Sequence, residues 1–237
     1  DAMAAAKIDI VELGFRTLQS TQYLGATAYT TDAFIERLAI PQSLQLAVML
    51  NAKELVNAAD QRTAIRSTFA RRANSQVSMV RIAANRNEVA TLGPAIEELR
   101  ELGYDVALNL MQISEIALEH ITAFGQQAKS FDVAYAYIAD SFGSLRPANL
   151  PPIMRALGDG FGTAIGCHLH DNMSYALANT MEAIDTGAVI VDSTIQGMGR
   201  GPGNVRTEYL VMELARRGQT QAVVQPLVNL VEQEFAE

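Results

Sequence analysis

Short, mostly apolar runs of strand length alternate along this chain with longer stretches whose apolar positions recur at helical spacing. The runs at 7–14, 44–50, 77–83, 105–111, 133–139, 163–169 and 188–193 lack the alternation of a half-exposed strand. They read as strands covered on both faces. The stretches between them predict helices at 31–38 (opened by Thr30 or Thr31), 60–72, 88–102, 115–128, 147–157, 174–186 and 205–217. Gly103 and Gly187 stand where helix C-terminal glycines belong. A strand–helix rhythm of this kind implies a parallel sheet with helical crossovers.

Seven predicted strands are one short of the eight that close a (β/α)8 TIM barrel. The deficit lies at the front, where residues 1–6 (Asp-Ala-Met-Ala-Ala-Ala) look like the tail of a helix feeding the first strand. The expected class is therefore α/β: one TIM-barrel domain over 1–237, lacking its first strand and most of its first helix. An open barrel exposes two unpaired strand edges. Either the missing strand precedes Asp1 or a second copy covers the gap, so a homo-oligomer is also expected. A doubly wound open sheet finds less support, because no Gly-rich dinucleotide loop follows the first strand.

Composition works mainly by exclusion. Lys and Arg number 18 against 26 Asp and Glu, a net charge of −8 with no basic stripe. Neither nucleic acid nor an anionic membrane is an expected partner. No apolar run approaches the length of a membrane span, and the first residues lack the basic flank and apolar core of a secretory signal. A single cysteine, Cys167, excludes an intrachain disulfide and fits a reducing cytoplasm, the expected location. Cys167 points into the strand–helix layer and reads as a small buried hydrophobe rather than a nucleophile.

Two of the three histidines lie in His168-Leu169-His170-Asp171-Asn172, at the carboxyl end of a predicted strand. Side chains at i and i+2 of a strand share a face, and barrel enzymes place metal ligands at that end. Imidazole is the commonest metal ligand. A hydrogen-bonded core pair or a solvated strand end is the plainer alternative. Glu12 ends an apolar strand, where an interior carboxylate needs a partner. Arg81 sits inside an apolar strand and either binds a carboxylate or pairs with Glu12. Asn109, between Leu108 and Leu110, is the inward group of its strand, ahead of Gln112. Asp140 and Ser141 end the fifth strand. Asn204 follows Gly197, Gly199, Gly201 and Gly203 at the start of the last predicted helix, as an N-cap or a ligand. That glycine loop either cradles an anion or only permits tight turns. His120 reads as a surface or helix-packing histidine, and Tyr135 and Tyr137 as core.

The stretch from His168 to Glu208 resembles the carboxyl half of the DRE-TIM metallolyase superfamily, the HMG-CoA lyase-like fold. This superfamily includes 4-hydroxy-2-oxovalerate aldolases, HMG-CoA lyase, isopropylmalate and homocitrate synthases, and pyruvate carboxylase transferase domains. The resemblance rests on the His168–Asn172 motif, Ala178-Asn179, Val191-Asp192-Ser193-Thr194-Ile195-Gln196-Gly197-Met198-Gly199 and Gly203-Asn204-Val205-Arg206-Thr207-Glu208. Upstream, Val11-Glu12-Leu13-Gly14, Val80-Arg81-Ile82-Ala83, Asn109-Leu110-Met111 and Ala139-Asp140-Ser141-Phe142-Gly143 extend it, closest to the aldolase branch.

The resemblance implies His168, His170 and Asn204 around a divalent metal: Mg2+ or Mn2+, with Zn2+ or Co2+ also compatible. It implies Glu12, Arg81, Asp140 and Ser141 in catalysis, Asp140 by orienting a ligand histidine. Asn109, Ser141 and Thr194 are then substrate-binding. The family's metal-ligating aspartate, its following arginine and the aldolase loop histidine have no counterpart here. The implied activity is making or breaking a carbon–carbon bond of a 2-oxo acid such as pyruvate, with an aldehyde partner. An acyl-CoA Claisen enzyme, of the isopropylmalate or homocitrate synthase or HMG-CoA lyase type, is the runner-up. A non-catalytic barrel acting as a binding or partner subunit is the alternative of a different class.

Overall fold

The computed structural model describes residues 1–18 and 23–235. Seven strands, all parallel, lie side by side in chain order: β1 Ile10–Phe15, β2 Gln45–Asn51, β3 Val77–Ala84, β4 Asp105–Leu110, β5 Tyr135–Asp140, β6 Ile165–Leu169 and β7 Ile190–Val191. Ten helices accompany them among the described residues: α1 Ala2–Ala5, α2 Asp32–Glu36, α3 Ala52–Val56, α4 Gln61–Thr68, α5 Gly93–Glu101, α6 Leu118–Ser130, α7 Leu150–Phe161, α8 Ala176–Asp185, α9 Thr207–Arg216 and α10 Gln225–Glu234. None of them is long and apolar enough to cross a membrane.

The sheet curls. Strands in a flat sheet lie about 4.8 Å apart, which would separate β1 from β7 by roughly 29 Å. Yet Arg81 of β3 donates to Glu12 on β1 at 3.0 Å and to Asp192, next to β7, at 2.6 Å. One side chain spans both ends only if they face each other across an interior. Among the described residues no strand pairs with the free edges of β1 and β7.

Strand alternation then sorts the side chains. Val48, Ile82, Leu108, Ile138 and Cys167 face outwards into the main core, beneath the helices. Ala47, Met79, Ala107 and Tyr137 face inwards, with Ile10, Tyr135 and Ile190 packed against them. Small inward residues make room for one large ring: a Cβ on Gly166 would lie 2.7 Å from Cζ of Tyr137. One step of two residues towards the carboxyl ends of these strands, the inward positions turn polar at Glu12, Arg81, Asn109, His168 and Asp192. An apolar floor therefore underlies a polar layer at the end where barrel enzymes work.

Several elements differ from the sequence expectation. The helix expected over 60–72 is α4 alone, begun when the Asp60 carboxylate accepts from Thr63 N–H at 2.7 Å. It stops where Phe69 turns extended to bury its ring edge-on against Tyr104. The helix expected from 88 starts only at Gly93, because Pro94 must occupy a first turn. In α6, His120 is an exposed first-turn residue rather than a mid-helix one. The run at 188–193 pairs only through Ile190 and Val191. A helix beyond 217 was not expected, but α10 opens with Pro226 in its first turn. Its Leu227 packs with Ala6, Ile195 and Val211 in a small separate core.

Candidate metal centre

Arg81 organises the polar layer. It is 5% exposed, lies over the Tyr137 ring with Cζ 4.5 Å from the centroid, and divides its two terminal nitrogens between Glu12 and Asp192. Burial acts against its charge, but the two carboxylates hold its pKa above the ordinary value. The acids respond in opposite directions. Burial pushes the Asp192 carboxyl up, yet Arg81 and the His168 ring outweigh it and hold the group at about 2. At Glu12 burial prevails over Arg81, and the carboxyl sits above its usual range.

His168 joins this network through Nδ1, 2.8 Å from the Asp192 oxygen that Arg81 also bonds. An ionised carboxylate only accepts hydrogen bonds, so Nδ1 carries the hydrogen and Nε2 is the nitrogen left to face a metal. That is the arrangement in which imidazole ligates metals. The His170 ring lies 5.1 Å from that of His168, at 77° to it. Burial and the neighbouring His168 and Arg200 charges lower the His170 pKa, favouring the neutral ring that a ligand requires.

Asn204 lies beside His170 in the loop before α9. It forms a backbone bridge with His170. Its Nδ2 donates to Met198 O at 3.1 Å, while its Oδ1 is buried without a hydrogen-bond partner. The loop closes on this amide only with glycine: a Cβ on Gly199 would stand 2.4 Å from Asn204 Nδ2, and one on Gly203 1.9 Å from Gly197 O. Of the two readings of Asn204, N-cap or ligand, the structure does not bear out the cap, because α9 begins at Thr207 with Arg206 as its N-cap. A buried acceptor without a donor is costly, and a cation between it and the two imidazoles would satisfy it. Among the described residues no three His, Cys, Asp or Glu side chains converge. The donors these residues could offer are two ring nitrogens and one amide oxygen, a set chemically compatible with a divalent cation.

The remaining expected residues divide. Ser141 Oγ accepts from Gln112 N–H at 3.1 Å, which leaves its own hydrogen to donate. Asn109 is 2% exposed, with Oδ1 unpartnered. No hydrogen bond joins Asp140 to a histidine among the described residues, although its charge acts on the His170 ring. Two residues beyond outward-facing Ile138, Asp140 lies on the helix side, and its carboxylate accepts from Leu145 N–H at 2.9 Å. Thr194 gives its hydroxyl hydrogen to Met198 O at 2.6 Å, so it fastens the Asn204 loop. Asp171 caps α8 by accepting from Ala176 N–H at 2.8 Å. Sequence reading missed Asp192 as the orienting group, and Tyr137 as the platform under Arg81. Asp192 was signalled by standing two residues beyond inward-facing Ile190, as Glu12 stands beyond Ile10.

A curled parallel sheet with paired histidines at its carboxyl end defines the class, and the chain matches the HMGL-like family over residues 1–233. It belongs to that family. It is 28% identical over 222 residues to the oxaloacetate decarboxylase of Mycobacterium tuberculosis (strain H37Rv), an alignment covering 92% of this chain and 63% of that protein. It is 35% identical over 146 residues to the 4-hydroxy-2-oxovalerate aldolase of Bacillus cereus (strain 03BB102), covering 62% of this chain and 43% of the relative. The chain thus spans less than two thirds of each. Among solved structures, the N-terminal domain of a candidate aldolase from Bacteroides vulgatus superposes with a TM-score of 0.81 at 26% identity, over 98% of this chain and 75% of that one. The HMG-CoA lyase of Bacillus subtilis does so with a TM-score of 0.79 at 15% identity, over 98% and 82%, a likeness of fold alone.

Proposed function

We propose that this chain carries the site of a divalent-metal-dependent lyase that breaks a carbon–carbon bond of a 2-oxo acid, releasing a pyruvate-like product. The observation that supports this reading is the pair of neighbouring imidazoles, His168 hydrogen-bonded to Asp192 and His170 bridged through its backbone to Asn204, whose Oδ1 is buried without a partner. The names of the two curated relatives share one chemical step: each leaves the electron pair of the broken bond on the carbon beside a keto group. A bound Mg2+, Mn2+ or similar ion would supply Lewis acidity to that keto group. Mixed nitrogen and oxygen donors do not choose sharply among such ions.

The chain's own residues do the rest. Asp192 fixes the hydrogen on His168 Nδ1, and Arg81 holds Asp192 ionised for that purpose. Ser141 presents its hydroxyl hydrogen to a substrate carboxylate. Glu12, whose carboxyl burial has made a weaker acid, holds and returns the proton exchanged at the carbon beside the keto group. Tyr137 closes the floor beneath Arg81 and keeps bulk water from below.

The test combines metal content with exchange of pyruvate methyl protons in D2O, followed by NMR. The expected result is stoichiometric Mn2+ or Mg2+ and exchange that disappears in His168→Ala and His170→Ala. Wild-type exchange in either variant, or no metal retained by the wild type, refutes the reading.

A further inference from the structure

Two arginines stand beside the histidines, and their situations differ. Arg81 has both terminal nitrogens paired, with Glu12 and Asp192, and only its Nε is without a partner. Arg200 is exposed, and among the described residues no ion pair or side-chain hydrogen bond engages its guanidinium. Its backbone is nonetheless tied to the site. The His170 ring hydrogen-bonds the Arg200 backbone, and Gly203 N–H donates to Arg200 O at 3.3 Å. Gly203 O in turn accepts from Asp171 N–H at 2.9 Å, and the next residue, Asn204, bridges His170. The Arg200 charge therefore stands close enough to the histidines to act on the His170 ring.

Charge balance says what it faces. Glu12 and Asp192 both pair with Arg81, so neither carboxylate of the polar layer is left for Arg200. A 2-oxo acid that spends its first carboxylate and keto oxygen at the histidine end has only a distal carboxylate to offer it. Arg200 is then a positive charge without a counterpart.

We propose that Arg200 receives a second, distal carboxylate of the substrate, so that the site prefers 2-oxo diacids to 2-oxo monoacids. The inference rests on the metal-dependent lyase reading above. A fixed guanidinium recognises a carboxylate through charge-assisted, frequently paired hydrogen bonds.

The test is calorimetric binding to the Mn2+-loaded protein with 2-oxoglutarate and 2-oxovalerate, acids of equal chain length that end in a carboxylate and a methyl group. The wild type binds 2-oxoglutarate more tightly by about ten-fold, and added salt erodes the preference. Arg200→Met loses the preference with its 2-oxovalerate affinity unchanged, and Arg200→Lys keeps part of it. Equal affinities in the wild type, or a preference that survives Arg200→Met, overturns the proposal. Pyruvate methyl-proton exchange separates the two readings. Exchange without preference removes only the role of Arg200, whereas no exchange and no binding of either acid removes both.

Discussion

Exchanging Asp192 for asparagine deletes one charge from a buried network while keeping the side chain's shape. In the folded protein its carboxyl sits at about 2, against an ordinary 3.8. At about 1.4 kcal/mol per tenfold change in acidity, that difference corresponds to about 2 kcal/mol of folding stability at neutral pH. The folded value is the lower one, so this stabilisation is complete above about pH 4 and vanishes as the pH falls through about 2. Asp192→Asn is therefore less stable than the wild type by about 2 kcal/mol near neutrality, and the gap closes in acid. Glu12→Gln behaves otherwise. Its folded pKa is raised, so its contribution is present below the ordinary value and lost as the pH rises through the folded one. The uncharged amide removes a charge that burial already disfavours, although both carboxylates bond the same guanidinium. Urea titrations followed by circular dichroism, in metal-free buffers from neutral to acid pH, read both variants. A gap for Asp192→Asn that stays constant into acid refutes the reasoning. So does a loss in Glu12→Gln as large as that in Asp192→Asn.

Three further outcomes are expected. Asp192→Asn weakens Mn2+ binding by about 10–100-fold, the usual effect of removing a carboxylate that orients a ligand imidazole; unchanged affinity by calorimetry means His168 is not a ligand. Gly166→Ala places a Cβ 2.7 Å from Tyr137 Cζ and 2.8 Å from Ile190 Cγ2, an overpacking that costs about 1–3 kcal/mol. An unaltered melting temperature contradicts the tight inward packing of β5, β6 and β7. Cys167 is 1% exposed, and burial pushes its thiol pKa up. It reacts with a disulfide reagent only as fast as the protein opens, and immediate stoichiometric labelling of native protein disproves its burial.

The strands were legible because a strand covered on one or both faces is mostly apolar, and each of the seven appeared as a mostly apolar run. Helix boundaries were less so. Pro94 and Phe69 set limits that periodicity alone does not weigh, one through backbone chemistry and the other through a distant partner, Tyr104. The short α10 carries little signal of its own, since its burial depends on Ala6 from the other end of the chain. In the site, His168 and His170 announced themselves by spacing. Asp192 did not, because a carboxylate after a short strand looks like a solvated strand end until Arg81 and His168 are brought to it. Asp140 erred the opposite way. Its motif suggested the site, but strand parity places it on the helix side with Leu145.

Parity also explains why a single arginine matters so much here. The apolar floor and the polar layer are successive inward positions on the same strands, so the floor fixes where the polar atoms stand. Tyr137 needs Gly166 opposite it, and Arg81 needs Tyr137 beneath it. Arg81 then fixes Asp192, which sets the tautomer of His168. Arg81 also joins β1 to the end of β7, the two edges of the sheet that no described strand connects. Those edges border a cleft of about 700 Å³ lined by Ile10, Tyr135, Ile190 and Leu214. The orientation of the His168 imidazole and the approach of β1 to the end of β7 thus meet in the same two ion pairs. A change that spreads β1 from β7 must also release Asp192, and with it the nitrogen that His168 offers to a metal.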